Sequence, residues 1–270
     1  MTLDEAARRL AEAGIESPRR EARLLLAHAL GIDREATLTS TVTPEQSAKF
    51  AALVTRRAAR EPFAYITGRK EFWSLEFDVG PGVLIPRPDT ETLVEQAIRY
   101  LPGKSAPLTI ADLGAGSGAL LVAALTEFPN ATGIGFESSP DAFAYLRRNI
   151  TRHVSQRGQA RLSSWDAAEG LFDLILSNPP YIPSSEIESL APDVSRYEPL
   201  TALDGGKDGL DAYRGLAGLL PAILKPGGLA ILEIGIGQEN SMEPLFQTLE
   251  IVTLAPDLGG IPRALVLRKS

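Results

Sequence analysis

Phe172-Asp173-Leu174-Ile175-Leu176-Ser177-Asn178-Pro179-Pro180-Tyr181 is an apolar run that ends in a stiff polar turn. Its first six residues read as a strand buried on both faces, as in a parallel sheet. Neither proline has a backbone N–H to donate, and each fixes φ near −65°. The turn is therefore rigid, and its carbonyls can point away from the sheet. The Asn178 side-chain carbonyl and the Pro179 backbone carbonyl can together accept both hydrogens of one amide or amino nitrogen. Tyr181 offers an aromatic face to a planar group. The same four residues also suit an ordinary asparagine turn, so the reading depends on what else the chain carries.

Upstream stands Ile110-Ala111-Asp112-Leu113-Gly114-Ala115-Gly116-Ser117-Gly118, an apolar strand running into a glycine-rich turn. Helical spacing follows through Ala119, Leu120, Leu121, Ala124, Leu125 and Phe128. Glycines let the chain turn tightly and let a ligand approach the backbone. With Ala119 the turn also partly satisfies the dinucleotide fingerprint, so a nicotinamide reading competes. A second apolar run from Thr132 to Phe136 ends in Glu137, a carboxylate suited to gripping ribose hydroxyls. Glycine turn and acidic strand end together indicate an adenosine-containing ligand without saying which. The order of all three motifs decides between them. A glycine loop, an acidic end of strand two and Asn-Pro-Pro-Tyr at the end of strand four suit an amino-group methyltransferase. A dehydrogenase has no use for the last element.

Composition narrows the class. Across 270 residues no apolar stretch reaches the length of a membrane helix. Met1 to Gly14 alternates charged and apolar residues and lacks a signal-peptide layout. Cysteine is absent, which excludes disulfides, thiolate nucleophiles and zinc–thiolate sites. Of the two histidines, His28 reads as a packing residue and His153 as the end of a helix; neither is assigned a catalytic role, and no metal is expected. The net charge of −7 is unevenly spread: residues 1–70 hold 12 Lys/Arg against 9 Asp/Glu, and residues 71–270 hold 15 against 25. So acidic a second part is poorly suited to wrapping nucleic acid. The basic surplus of the first part suits an acidic partner or a solvated face.

Start and stop signals give the organisation. Leu3, Ala6, Ala7 and Leu10 recur at helical spacing. Ser17-Pro18 opens a second helix, and Thr43-Pro44-Glu45-Gln46 is a capping box that opens a third. Phe72 to Ile85 alternates around Gly80-Pro81-Gly82 and reads as a β-hairpin. From Leu108 strands and helices alternate, the pattern of a parallel α/β sheet. Ser139-Pro140 caps the helix after the second strand, Lys225 to Gly228 is a stop before a strand at Leu229–Ile234, and Ala264–Leu267 is a closing strand.

Over essentially its whole length the chain resembles the glutamine-N5 methyltransferases that modify the Gly-Gly-Gln loop of bacterial peptide chain release factors. The residues that carry the resemblance are Glu61 to Gly68, Glu71-Phe72-Trp73, Pro81 to Glu91, the two motifs above, Tyr197-Glu198-Pro199, Ala202 to Leu210, Pro226-Gly227-Gly228 and Leu232 to Gly235 with Gln238. It departs from that pattern at Glu137, where many relatives have aspartate, and at Ser164 before Trp165. The resemblance implies an α/β, Rossmann-like class I S-adenosylmethionine-dependent methyltransferase domain with a small N-terminal helical domain and a linking β-hairpin. Residues 1–70 would be a helical substrate-docking domain, 71–90 the hairpin linker and 91–270 the catalytic domain. Gly114, Ala115, Gly116, Ser117, Gly118, Glu137, Trp165 and Asn178 would bind S-adenosyl-L-methionine, leaving S-adenosyl-L-homocysteine as product. Asn178, Pro179, Pro180 and Tyr181 would be catalytic. Arg87, in the Ile-Pro-Arg-Pro segment, reads as a structural ion pair and is not counted among the site residues. The expected setting is a cytoplasmic monomer acting on release factors, with no nucleic acid or membrane partner. The alternatives are a ribosomal-protein glutamine methyltransferase and a nucleic-acid adenine-N6 methyltransferase.

Overall fold

Thr2 and Thr43 begin their helices by the same device. In each, the hydroxyl accepts from the N–H three residues on, and the Glu5 or Gln46 side chain accepts from the cap residue's own N–H. A computed structural model describes residues 1–38, 41–101 and 103–270, and it divides into two compact units. The first contains α1 (Leu3–Glu12), α2 (Pro18–Leu30), α3 (Pro44–Ala58) and α4 (Phe63–Thr67). Their apolar stripes meet in a core that includes Leu10, Leu25, Phe50, Val54 and Ile66. His28 is exposed on α2, which corrects its reading as a packing residue; the buried stripe runs through Ala22, Leu25, Leu26 and Ala29.

This unit also takes in Ala191–Tyr197, a stretch the sequence reading leaves in the catalytic domain. The cause is electrostatic. Arg57 is buried; it donates to Glu21 Oε2 at 2.6 Å and to Asp193 Oδ2 at 2.8 Å. Arg60 donates from Nε to Asp193 Oδ1 at 2.7 Å. Tyr197 adds a hydrogen bond from its hydroxyl to the Ala59 carbonyl at 2.8 Å.

The second unit opens with a two-stranded sheet of β1 (Arg69–Phe72) and β2 (Leu75–Asp78). Its turn is Trp73-Ser74, both at positive φ (53° and 57°), not Gly80-Pro81-Gly82 as the alternation suggests. A two-residue hairpin turn of this hand matches strand twist even without glycine. Glu91 compensates by accepting from the Trp73 N–H at 2.7 Å. After α5 (Glu91–Tyr100) come β3 (Thr109–Leu113), α6 (Ala119–Glu127), β4 (Thr132–Glu137), α7 (Pro140–His153), β5 (Gly158–Leu162) and β6 (Phe172–Ser177). The helix Asp211–Ile223 leads to β7 (Leu224–Glu233), and the helix Glu239–Leu245 to β8 (Glu250–Pro256) and β9 (Pro262–Arg268).

The seven strands lie in the order β5-β4-β3-β6-β7-β9-β8. The first five in that order pair in parallel, and β9 pairs antiparallel with both β7 and β8. Leu174, Ile175 and Leu176 at its centre are fully buried, as expected of a strand covered on both faces. Asp173 fixes the lower end of this centre, accepting from the Thr109 N–H and from Lys225 Nζ, both at 2.7 Å. Strand order reverses at β3, so the upper ends of β3 and β6 form the switch point where open α/β sheets bind ligands. Among the described residues no helix is long and apolar enough to cross a membrane.

Candidate active site at the upper ends of the parallel strands

A cavity of about 320 Å³ lies over the ends of β3, β4 and β6. Its lining includes Gly114 to Ser117 after β3, Glu137 at the end of β4, Trp165, and Asn178 and Pro180 after β6. Gly118, Pro179 and Tyr181 are not in the lining. Gly118 has φ +83°, and a Cβ there would come 2.7 Å from Leu146 Cδ1 on α7, so the loop closes onto that helix only with glycine. Asn149, fully buried on α7, locks the loop further by donating to the Ser117 carbonyl at 2.8 Å.

Glu137 is 8% exposed, and each of its oxygens accepts one backbone N–H: Oε2 from Gly116 and Oε1 from Ser139, both at 2.8 Å. A carboxylate offers about four lone-pair sites. The remaining ones are free for a vicinal diol, and the backbone bonds fix their direction. Trp165 begins a short 3-10 turn, is half-buried against the core, and its ring would lie 3.8 Å from a Cβ placed on Gly114. Arg87 pairs with the buried Glu198, Nη2 to Oε1 at 2.5 Å, which is the ion pair expected of it, and it borders the cavity.

The Asn178-Pro179-Pro180-Tyr181 turn is braced from several sides. The Ser177 hydroxyl donates to the Leu113 carbonyl at 2.7 Å and ties the ends of β6 and β3 together. The Tyr181 hydroxyl donates to Glu233 Oε1 at 3.0 Å. Gln238 Nε2 donates to the Tyr181 carbonyl at 3.0 Å and the Gly209 carbonyl at 3.2 Å. The Leu203-Asp204-Gly205-Gly206 segment runs beside this turn: Gly205 donates to the Ile182 carbonyl at 2.8 Å. A Cβ on Gly209 would fall 2.3 Å from the Tyr181 carbonyl oxygen, which explains a glycine at that place.

Asp112 is a site residue the sequence reading passes over. It borders the cavity, is 1% exposed, and only Oδ2 has a partner, the Leu121 N–H at 3.2 Å; Oδ1 has none. Burial, with the nearby Glu137 charge, pushes its carboxyl up to about 7. The visible signal was a carboxylate inside an otherwise apolar strand. An unpartnered buried acceptor beside a cavity suits a donor carried by a bound ligand, and a carboxylate suits a cationic one. Binding of a cationic ligand should therefore weaken as pH falls from 8 to 6, because protonation removes the Asp112 charge. Calorimetry across that range checks this, and Asp112→Asn should flatten the dependence.

Residues 2–68 match the PrmC N-terminal domain, and residues 90–191 match the methyltransferase small domain. The release factor glutamine methyltransferase of Rhodospirillum rubrum is 44% identical over 99% of this chain and 84% of its own length. That of Geobacter sulfurreducens is 45% identical over 88% of this chain and 84% of its own. That of Cereibacter sphaeroides is 44% identical over 98% and 96%. Among solved structures, the T. thermophilus 16S rRNA N2 G1207 methyltransferase bound to AdoMet and guanosine aligns at TM-score 0.53 with 22% identity, covering 75% of this chain and 50% of that one. A Pyrococcus furiosus methyltransferase aligns at 0.55 with 19% identity, covering 83% and 99%. These two share the fold, a Rossmann-like class I methyltransferase domain.

Proposed function

Because the chain belongs to the release factor glutamine methyltransferase family, we propose that it methylates the side-chain amide nitrogen of the glutamine in the Gly-Gly-Gln motif of peptide chain release factors. The observation that carries this reading is that the glycine loop, Glu137 and Asn178 border one cavity. The open lone pairs of Glu137 and the unpartnered Asp112 oxygen fit a ligand with a ribose diol at one end and positive charge at the other. S-adenosylmethionine bound there supplies an electrophilic methyl group on a sulfonium centre. Gly114 to Gly118 would admit its methionine part, Asp112 would face the cationic end, Glu137 would hold the ribose, and Trp165 would flank the adenine.

The chain's own task is to present the acceptor. A carboxamide nitrogen is a weak nucleophile because its lone pair is delocalised into the carbonyl. The Asn178 Oδ1 and the Pro179 carbonyl accept its two N–H bonds and so aim the lone-pair axis. As positive charge grows on the nitrogen, the same oxygens stabilise it without moving. Tyr181 shapes this end of the site through its place behind Asn178.

We assign protein docking to the helical unit. None of the cavity-lining residues belongs to it. Arg19, Arg20, Arg23 and Arg34 border one surface cleft with Asp4; Arg19 pairs with Asp4 and Arg34 with Glu35, and the face keeps a basic surplus suited to an acidic partner.

The deciding test is incubation with labelled S-adenosylmethionine and purified release factors, with the modified residue located by mass spectrometry. Methyl transfer to a ribosomal protein in place of a release factor would overturn the assignment. Glu137→Ala should weaken S-adenosylmethionine binding by about 1–3 kcal/mol, the range for losing charged hydrogen bonds. Calorimetry measures it, with tight NAD binding as the result that would sink the cofactor assignment.

A further inference from the structure

A carboxamide has almost the same outline with its oxygen or its NH2 turned toward a substrate, yet only the oxygen can accept an N–H bond. Something outside Asn178 must therefore choose. Asn178 Nδ2 donates to Thr90 Oγ1 at 3.2 Å, and the Thr90 hydroxyl in turn donates to Glu233 Oε2 at 2.5 Å. Glu233 is 1% exposed, and Thr90, 5% exposed, borders the cavity beside Asn178. Both Glu233 oxygens accept here, Oε2 from the Thr90 hydroxyl and Oε1 from the Tyr181 hydroxyl. Thr90 has a single hydroxyl hydrogen, and Glu233 takes it. The Thr90 oxygen is left as an acceptor alone, and the group it faces must be a donor.

We propose that Thr90 and Glu233 are positioning residues that form a polarity relay, holding the NH2 of Asn178 away from the substrate and its Oδ1 toward it. The proposal rests on the methyl-transfer reading above. Glu233 grips both ends of the turn, Asn178 through Thr90 and Tyr181 directly at 3.0 Å. Burial pushes the Glu233 carboxyl up, and the donors Thr90 and Tyr181 and the positive charge of Arg263 work against that rise. Burial also pushes the Tyr181 phenol up, so Tyr181 remains a donor to Glu233.

The test uses the full chain with Thr90→Val, which keeps shape and removes the hydroxyl, and Thr90→Ser, which keeps the hydroxyl. At saturating substrates, Thr90→Val should lower kcat on the order of 10- to 100-fold, the scale for a misplaced catalytic group. Its S-adenosylmethionine affinity by calorimetry should stay within about threefold, and Thr90→Ser should recover most of the lost kcat. The chain has four asparagines, so selective 15N-asparagine labelling resolves the Asn178 NH2 pair. That pair should shift in Thr90→Val and return in Thr90→Ser.

Should Thr90→Val fail to fold by circular dichroism, Glu233→Gln carries the test. Its amide can donate to Thr90, which frees the Thr90 hydrogen for Asn178 Oδ1, and kcat should fall with KM little changed. Wild-type kcat in Thr90→Val, or a Thr90→Ser as impaired as Thr90→Val, would overturn the relay. If the unaltered protein leaves release factors unmodified, the underlying reading fails instead, and an Asn178 NH2 pair unmoved by Thr90→Val would separately refute the relay.

Discussion

Asn178→Ala is expected to lower turnover on the order of 100-fold or more, and to weaken S-adenosylmethionine binding far less. The reason is the division of labour within the cavity. Asp112 on β3, Glu137 on β4 and the glycine loop after β3 keep their bonds when Asn178 is truncated. On the proposed mechanism, what is lost is one of two carbonyls that aim the acceptor nitrogen, an interaction that strengthens as charge develops. Initial rates at saturating substrates, paired with calorimetry, separate the two effects. Near-normal turnover would show that the Asn178 carbonyl does not orient the acceptor.

Removing residues 1–69 is expected to spare S-adenosylmethionine binding and to cut kcat/KM on an intact release factor on the order of 100-fold. The catalytic unit has its own apolar core, centred on residues such as Leu113, Ile175, Tyr213, Leu232 and Leu265. Its cofactor-site bonds lie wholly within it. Contacts remote from the chemistry nonetheless supply binding energy that positions the reacting group. Circular dichroism must first show a folded chain, since Ala191–Tyr197 loses Arg57 and Arg60 in the deletion. A folded deletion variant as fast as the full chain on intact release factor would refute the docking role.

Legibility followed sequence distance. The glycine loop and the Thr43 capping box are readable because each is built by residues within one turn of chain, and β6 because its burial on both faces leaves an unbroken apolar run. Glu137 was readable as an acidic strand end. Its two backbone bonds, one of them to Gly116, were not. Thr90 lies 88 residues from Asn178 and 143 from Glu233, and nothing local marks it as their link. Glu233 sits in an otherwise apolar run, but a carboxylate in a strand acquires meaning only when burial forces it to find donors. The hairpin turn was misplaced because Trp73 and Ser74 carry no glycine signal, while Gly80 and Gly82 do. Edge strand β8 went unread because its residues are mostly exposed or half-exposed and show no clean alternation.

The seat of Asp193 in the helical unit has a consequence for biosynthesis. Arg57 meets this partner 136 residues later in the chain. At the usual pace of translation that interval lasts on the order of ten seconds. During it the four N-terminal helices have emerged with Glu21 as the one carboxylate on Arg57, and Arg60 still lacks Asp193. The nascent helical unit is thus two ion pairs short, Arg57–Asp193 and Arg60–Asp193, until more than two thirds of the chain is made. Stalling the ribosome before and after Asp193 would separate the two forms by their resistance to protease.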